Sequence, residues 1–183
     1  MTYNSVSDIF AAIEETRGRL YARAEGLSEE QDSFRAAPGT WCAREIIEHL
    51  AILEERLSRM MALMVAKAEG SGLSSDAGGM KPFSPDALIA RASGEKFEAP
   101  EFVHPGGRVP VAELLQRLRR SRATLNELRP RIERLDLSGM TYPHPAFGQL
   151  DFYQWLALIG LHEERHLRQM ESVLAACADG GRG

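Results

Sequence analysis

The sequence predicts an all-α protein, a four-helix bundle with a long crossover between its second and third helices. Three observations predict it. Four segments carry apolar residues at helical spacing, strand signals are absent, and one connection is far longer than the others. With 183 residues, 44% hydrophobic and 26% charged, the chain has ordinary globular composition and reads as one domain over 1–183. A chain of this length buries roughly two thirds of its unfolded surface, so folding alone requires neither disulfides nor a structural metal. Any metal has to be argued from function.

The first helix is expected to start near Ser5, with Val6, Ile9, Ile13, Leu20 and Leu27 on its apolar stripe and Glu14, Glu15, Arg17 and Arg19 between them. The second runs from about Ala43 to Glu69. Ile46, Leu50, Leu53, Leu57, Met60 and Met64 alternate there by four and three, and Gly70 ends it. Met60, Met61 and Met64 read as core filling, the alternative being a flexible apolar wall for a substrate. The third begins after Pro110 and carries Val111, Leu114, Leu118, Leu125, Leu128, Ile132 and Leu135, with Pro130 expected to kink or interrupt its last turns. The fourth opens after Gly148, where Asp151 and Gln154 have the spacing of a capping box, and carries Phe152, Trp155, Ile159, Met170, Val173 and Cys177 inward.

Loop length then selects the topology. The first two helices are joined by a short irregular stretch, whereas residues of about 70–109 separate the second and third. A connection that long can span the bundle and lets the third helix run parallel to the second. Its first part, GSGLSSDAGGM, is rich in Gly and Ser and is expected to be flexible. Its second part, KFEAPEFVHPGGRVP, mixes Phe97, Phe102 and Val103 with prolines and is expected to pack across a bundle end.

Charge and hydropathy narrow the partners. Twenty-two basic against twenty-six acidic residues give a net charge of −4, and the basic ones are dispersed, which argues against nucleic acid as a ligand. The longest apolar stretch, Trp155 to Leu161, falls far short of the ~20 residues of a membrane helix, and MTYNSVSD carries no signal pattern. No membrane association is expected. Cys42 and Cys177 form no disulfide framework, so a cytoplasmic location is the expectation.

The chemistry lies on the seam. His162 and His166 occupy successive inward positions of the fourth helix, four residues apart, so both imidazoles project from one face. His49 follows Ile46 by three and precedes Leu53 by four, which puts a third imidazole on an apolar stripe. Burying three without partners would cost roughly 1–3 kcal/mol each, against a fold stability of about 5–15 kcal/mol. A hydrogen-bonded core network is one way to compensate. A divalent metal is the other and the favoured one, since neutral imidazole suits zinc, nickel, copper or ferrous iron, and facing helices commonly build such sites. Three protein ligands leave coordination positions open, as in catalytic rather than structural zinc sites.

The segments TWCAREIIEHLAILEERL and HPAFGQLDFYQWLALIGLHEERHLRQM resemble the DinB-like superfamily of four-helix metalloproteins, which includes thiol-dependent S-transferases and mycothiol-dependent maleylpyruvate isomerase. The similar features are a tryptophan before the second helix, a His-Leu inside it, a His-Pro and Gly before the fourth, and a final H-x-x-x-H followed by Gln. The first and third helices match only in pattern. The resemblance implies that His49, His162 and His166 form a metal triad, that the bundle has the crossover topology and that a homodimer is common. It selects no reaction. Cys42 stands where the family more often has a capping serine, and it reads as a small cap substitute rather than a reactive thiol.

Other readings of the motif fare less well. HEERH spells the H-E-x-x-H of zinc proteases, but no histidine follows His166 to supply a third ligand. A di-iron carboxylate site needs two E-x-x-H pairs, and only Glu163 with His166 has that spacing. Glu163 and His144 are the catalytic candidates outside the triad. Glu163, about 100° around the helix from His162, is expected to face solvent. His104 and His144 each precede a proline in a loop at the bundle mouth, and His144 either approaches the metal or bonds loop backbone. Glu45, one turn before His49, is a candidate acceptor for an imidazole N–H or a first-turn carboxylate. The leading expectation is an enzyme whose ion, zinc or nickel first and iron or manganese next, activates a water or a thiol against a small-molecule substrate. Transfer of a low-molecular-weight thiol comes first by resemblance and metal-assisted hydrolysis second. The rival is a non-enzymatic, stress-associated metal-binding or structural bundle.

Overall fold

The computed structural model describes residues 2–72, 79–90 and 100–180. Four long helices carry it: α1 (Val6–Ala24), α3 (Ala43–Gly70), α5 (Val111–Ile132) and α6 (Phe152–Gly180). Their starts follow from local chemistry. Ser5 and Asp8 bond each other's backbone N–H at 3.1 Å ahead of α1, and Asp151 and Gln154 do the same at 2.9 and 3.1 Å ahead of α6. Pro130 sits inside the last turn of α5, which ends at Ile132, so the expected interruption is an early stop that leaves Leu135 outside the helix.

The connections hold more structure than the sequence suggests. Two five-residue helices, α2 (Glu29–Ser33) and α4 (Pro85–Ile89), and a 3₁₀ turn at Glu101–Val103 punctuate them. An antiparallel hairpin of β1 (Thr141–His144) and β2 (Gly148–Asp151) precedes α6, which corrects the expectation of no strands and of a plain loop around His144. Pro143 hides the strand signal, while Gly148, at a φ of 69°, closes the three-residue turn as a left-handed glycine does. The crossover's Phe97 and most of GSGLSSDAGGM lie outside the described residues.

Cross-helix pairs fix the directions. Glu55 with Arg117, Ser58 with the Ser121 carbonyl and Glu69 with Arg131 advance together, so α3 and α5 run parallel, as the long crossover allows. Ile13 beside Gly160 and Arg17 on Glu163 make α1 and α6 parallel, while Ser7 with Arg129 and Glu25 with Arg119 make α1 and α5 antiparallel. The result is a four-helix bundle of up-down-down-up order. Its core divides in two. One apolar cluster gathers Ile13, Leu57, Leu125 and Ile159, the other Leu20, Leu50, Leu118 and Leu167. Between these levels lie four buried charges, one from each long helix: Arg17, Glu54, Arg122 and Glu163. No helix among the described residues is long and apolar enough to cross a membrane.

Candidate metal centre

The α3–α6 seam places His49 and His166 at 2% and 1% exposure, with His162 one turn before His166. The three imidazoles offer ligand atoms that all lie within 4.8 Å of one another, and no other His, Cys, Asp or Glu joins them among the described residues. His162 Nε2 stands 3.4 Å from His49 Nε2 and 3.1 Å from His166 Nε2. Two of the rings are oriented from behind. The Val103 carbonyl in the 3₁₀ turn accepts from His49 Nδ1 at 2.8 Å, and Gln169 Oε1 accepts from His166 Nδ1 at 2.8 Å. Because each acceptor fixes the proton on Nδ1, the Nε2 lone pairs of His49 and His166 are both left free to face His162 Nε2.

Facing lone pairs repel unless something positive lies between them. Two nitrogens bound to one metal at about 2.0–2.1 Å in tetrahedral geometry stand about 3.3–3.4 Å apart, which the observed spacings approach. The donor set therefore fits a divalent ion of the borderline class. Protonation does not supply the charge instead. Burial, then the Arg165 and His49 charges, push His166 down to about 3, and burial followed by its two partners holds His162 well below its ordinary value. Burial likewise lowers His49, against the pull of the Val103 carbonyl.

The other candidates are placed elsewhere. Glu163 is 2% exposed, not solvent-facing as expected, because Arg17 Nε at 2.6 Å and Arg122 Nη2 at 3.2 Å hold its carboxylate in the charged layer. Burial raises its pKa against those two arginines. Glu45 contacts no imidazole. It accepts the Cys42 N–H at 3.0 Å and both arms of Arg35 at 2.6 and 2.7 Å, so the orienting acceptor for His49 is the Val103 carbonyl. Burial raises the Cys42 thiol, in keeping with an inert cap position. His144 accepts the Ala146 N–H at 3.0 Å and lies 5.1 Å from the Trp155 ring, outside the triad, and burial lowers its pKa. His104 stands edge-on to Trp41 at 6.1 Å.

Several roles went unread in the sequence, including that of the tryptophan before α3. Trp41 lies 4.9 Å from the His49 ring and stacks 6.2 Å from that of His166, walling one side of the centre. Arg165, between the two clustered histidines of α6, donates through Nη2 to His166 Nε2 at 2.7 Å. The HPGG stretch after Val103 is pinned to α3, since the Gly107 N–H donates to Glu48 at 2.6 Å and a Cβ on Gly107, at φ 70°, would meet Glu45 at 2.9 Å. The charged layer had a sequence signal. Arg17, Glu54, Arg122 and Glu163 each stand three or four residues from apolar stripe positions on both sides, and Arg17 is 2% exposed rather than solvated between them. Arg17 pairs with both Glu54 and Glu163, and those two carboxylates hold its pKa above the ordinary value although burial acts to lower it.

Residues 12–170 match the model of the DinB superfamily. YuaE of Bacillus subtilis (strain 168), an uncharacterized protein, is 26% identical over 160 residues, covering 87% of this chain and 93% of its own. Among solved structures, TT2238, described as a four-helix bundle protein, aligns with a TM-score of 0.62 at 20% identity over 92% of this chain and 99% of its own. YfiT from Bacillus subtilis aligns with a TM-score of 0.57 at 15% identity over 91% and 84%. It is described as a probable metal-dependent hydrolase with an unusual four-helix bundle topology. Both structures share the fold.

Proposed function

This chain belongs to the DinB superfamily, and from that premise we propose that it is a metal-dependent enzyme acting on a small molecule, with His49, His162 and His166 holding one divalent ion. The observation that carries the reading is the convergence of three Nε2 atoms, 3.1 and 3.4 Å from nitrogen to nitrogen, in imidazoles that burial holds neutral. Zinc or nickel fits this donor set first, with iron or manganese next. When bound, the ion keeps its full charge on three neutral ligands and lowers the pKa of a water or thiol in its open positions. Transfer of a low-molecular-weight thiol to an electrophilic small molecule is the first reaction proposed. Metal-assisted hydrolysis is the second, favoured by the description of the structurally similar YfiT as a probable metal-dependent hydrolase.

The chain's own contributions are definite. Val103 and Gln169 orient two imidazoles, Trp41 closes one side, and the pinned HPGG stretch covers the start of α3. Metal analysis of the purified chain is expected to give one divalent ion per chain, and His162→Ala to lose it. Full occupancy in that variant overturns the triad. Turnover of an electrophile with a cellular thiol, or of an ester or amide with water, by the loaded protein then distinguishes the two chemistries. No turnover with either supports the non-enzymatic metal-binding bundle instead.

A further inference from the structure

Among the groups that touch the three imidazoles, one is a cation that no carboxylate of the described residues pairs. Arg165 is exposed, and its guanidinium reaches His166 Nε2 at 2.7 Å. Its neighbour Arg168 pairs with Glu164 at 3.0 Å, whereas Arg165 makes no ion pair with a carboxylate among the described residues. The nearby carboxylates are committed. Glu45 is held by Arg35 and the Cys42 N–H, Glu48 by the Gly107 N–H, and Glu163 by Arg17 and Arg122. A divalent ion on three neutral ligands keeps two positive charges, and Arg165 adds a third beside it. A group of that charge beside the partly exposed His162 and the exposed Arg165, with no acidic side chain in the cluster, is matched to an anionic ligand.

The position of the guanidinium makes the argument local. An arginine N–H and a metal ion compete for the same lone pair on His166, so a bound ion would displace the guanidinium while its backbone anchor, one residue from His166, would keep it beside the centre. Freed there, it presents a planar pair of donors that matches a carboxylate in a way a lysine does not. We propose that Arg165 is a substrate-binding, specificity-determining residue that takes the carboxylate of a small substrate or thiol whose reacting group lies at the three-histidine centre. This inference rests on the metal-centre reading given above.

The test uses the full chain loaded with cobalt(II), whose visible absorption reports thiol binding. Two probes are titrated: 2-mercaptoethanol, which offers a thiol alone, and 3-mercaptopropionate, which adds a carboxylate. The wild-type protein is expected to prefer the carboxylated probe by roughly tenfold, the scale of one charge-assisted bidentate pair. Arg165→Met is expected to bring that ratio close to one while still taking up one cobalt, and Arg165→Lys to fall between. A preference unchanged in Arg165→Met, as direct chelation by the probe would give, overturns the proposal, as does equal binding of both probes by the wild type. Failure to bind cobalt, or no spectral response to either thiol, instead removes the metal-centre reading and this inference with it. The two failures are thereby distinguished.

Discussion

His166 shows how strongly the fold disfavours protonation at the centre. Burial, helped by Arg165 and His49, pushes its pKa down to about 3, and burial also lowers His49 and His162. The same rings in an unfolded chain titrate near 6.5. Below about 6.5 the unfolded metal-free chain therefore takes up protons that the folded one refuses, so stability is fully present above that pH and falls as pH drops towards 3. Urea midpoints of the metal-free protein at pH 7.5, 6 and 5 are expected to decrease in that order, and His166→Leu to flatten part of the slope; a midpoint constant over this range contradicts the buried neutral assignment. The orienting groups carry a separate prediction. Gln169→Leu removes the acceptor behind His166 Nδ1, and competition with a chelator is expected to show metal affinity lower by about 10–100-fold. The clustering of the three histidines was legible because each occupies an apolar stripe, but the acceptor for His49 was not, since a backbone carbonyl 54 residues away leaves no mark in the sequence.

At the scale of helices, the bundle is held in register by charge as well as by packing. All four long helices were readable from 3.6-residue periodicity, with Ser5, Gly70, Pro110 and Asp151 marking their limits. The short elements escaped for physical reasons: five residues show too little periodicity for α2 or α4, and Pro143 interrupts β1. The charged layer escaped because a lone arginine or glutamate is ordinarily solvated, and only the meeting of four helices reveals that these are paired. Such a layer opposes rotation or sliding of α6, since either would bury an unpaired charge, and so it holds His162 and His166 towards His49. Glu163→Gln leaves Glu54 as the one buried carboxylate shared by Arg17 and Arg122, with the exposed Glu14 as a further partner of Arg122, and a loss of about 3–5 kcal/mol in metal-free stability is expected from urea unfolding. Combining Glu163→Gln with Arg122→Met is expected to cost less than the sum of the two single changes. Strict additivity would show that the layer acts as separate surface-like charges.

The whole molecule gains from this arrangement only when the seam is filled. An ion on His49, His162 and His166 would join α3 to α6 across a sequence separation of 113, and the three imidazoles converge only in the folded bundle. Binding to the native state alone adds RT ln(1 + [L]/Kd), about 2.7 kcal/mol when free metal is a hundred times its Kd. For a chain of this size that corresponds to a rise in Tm of roughly 5–10 °C. Thermal unfolding with and without zinc or nickel is expected to show the rise in the wild type and not in His162→Ala, whose midpoint is expected not to depend on added ion. The up-down-down-up order makes this more than a local effect: α3 and α6 are neighbours through space, and α3 is paired in parallel with α5 along Glu55–Arg117 and Glu69–Arg131. Stabilising the α3–α6 seam therefore also steadies the α5 face. An ion bound at a surface carboxylate pair instead would shift the Tm of His162→Ala as much as that of the wild type, and that equality would remove the seam from the account.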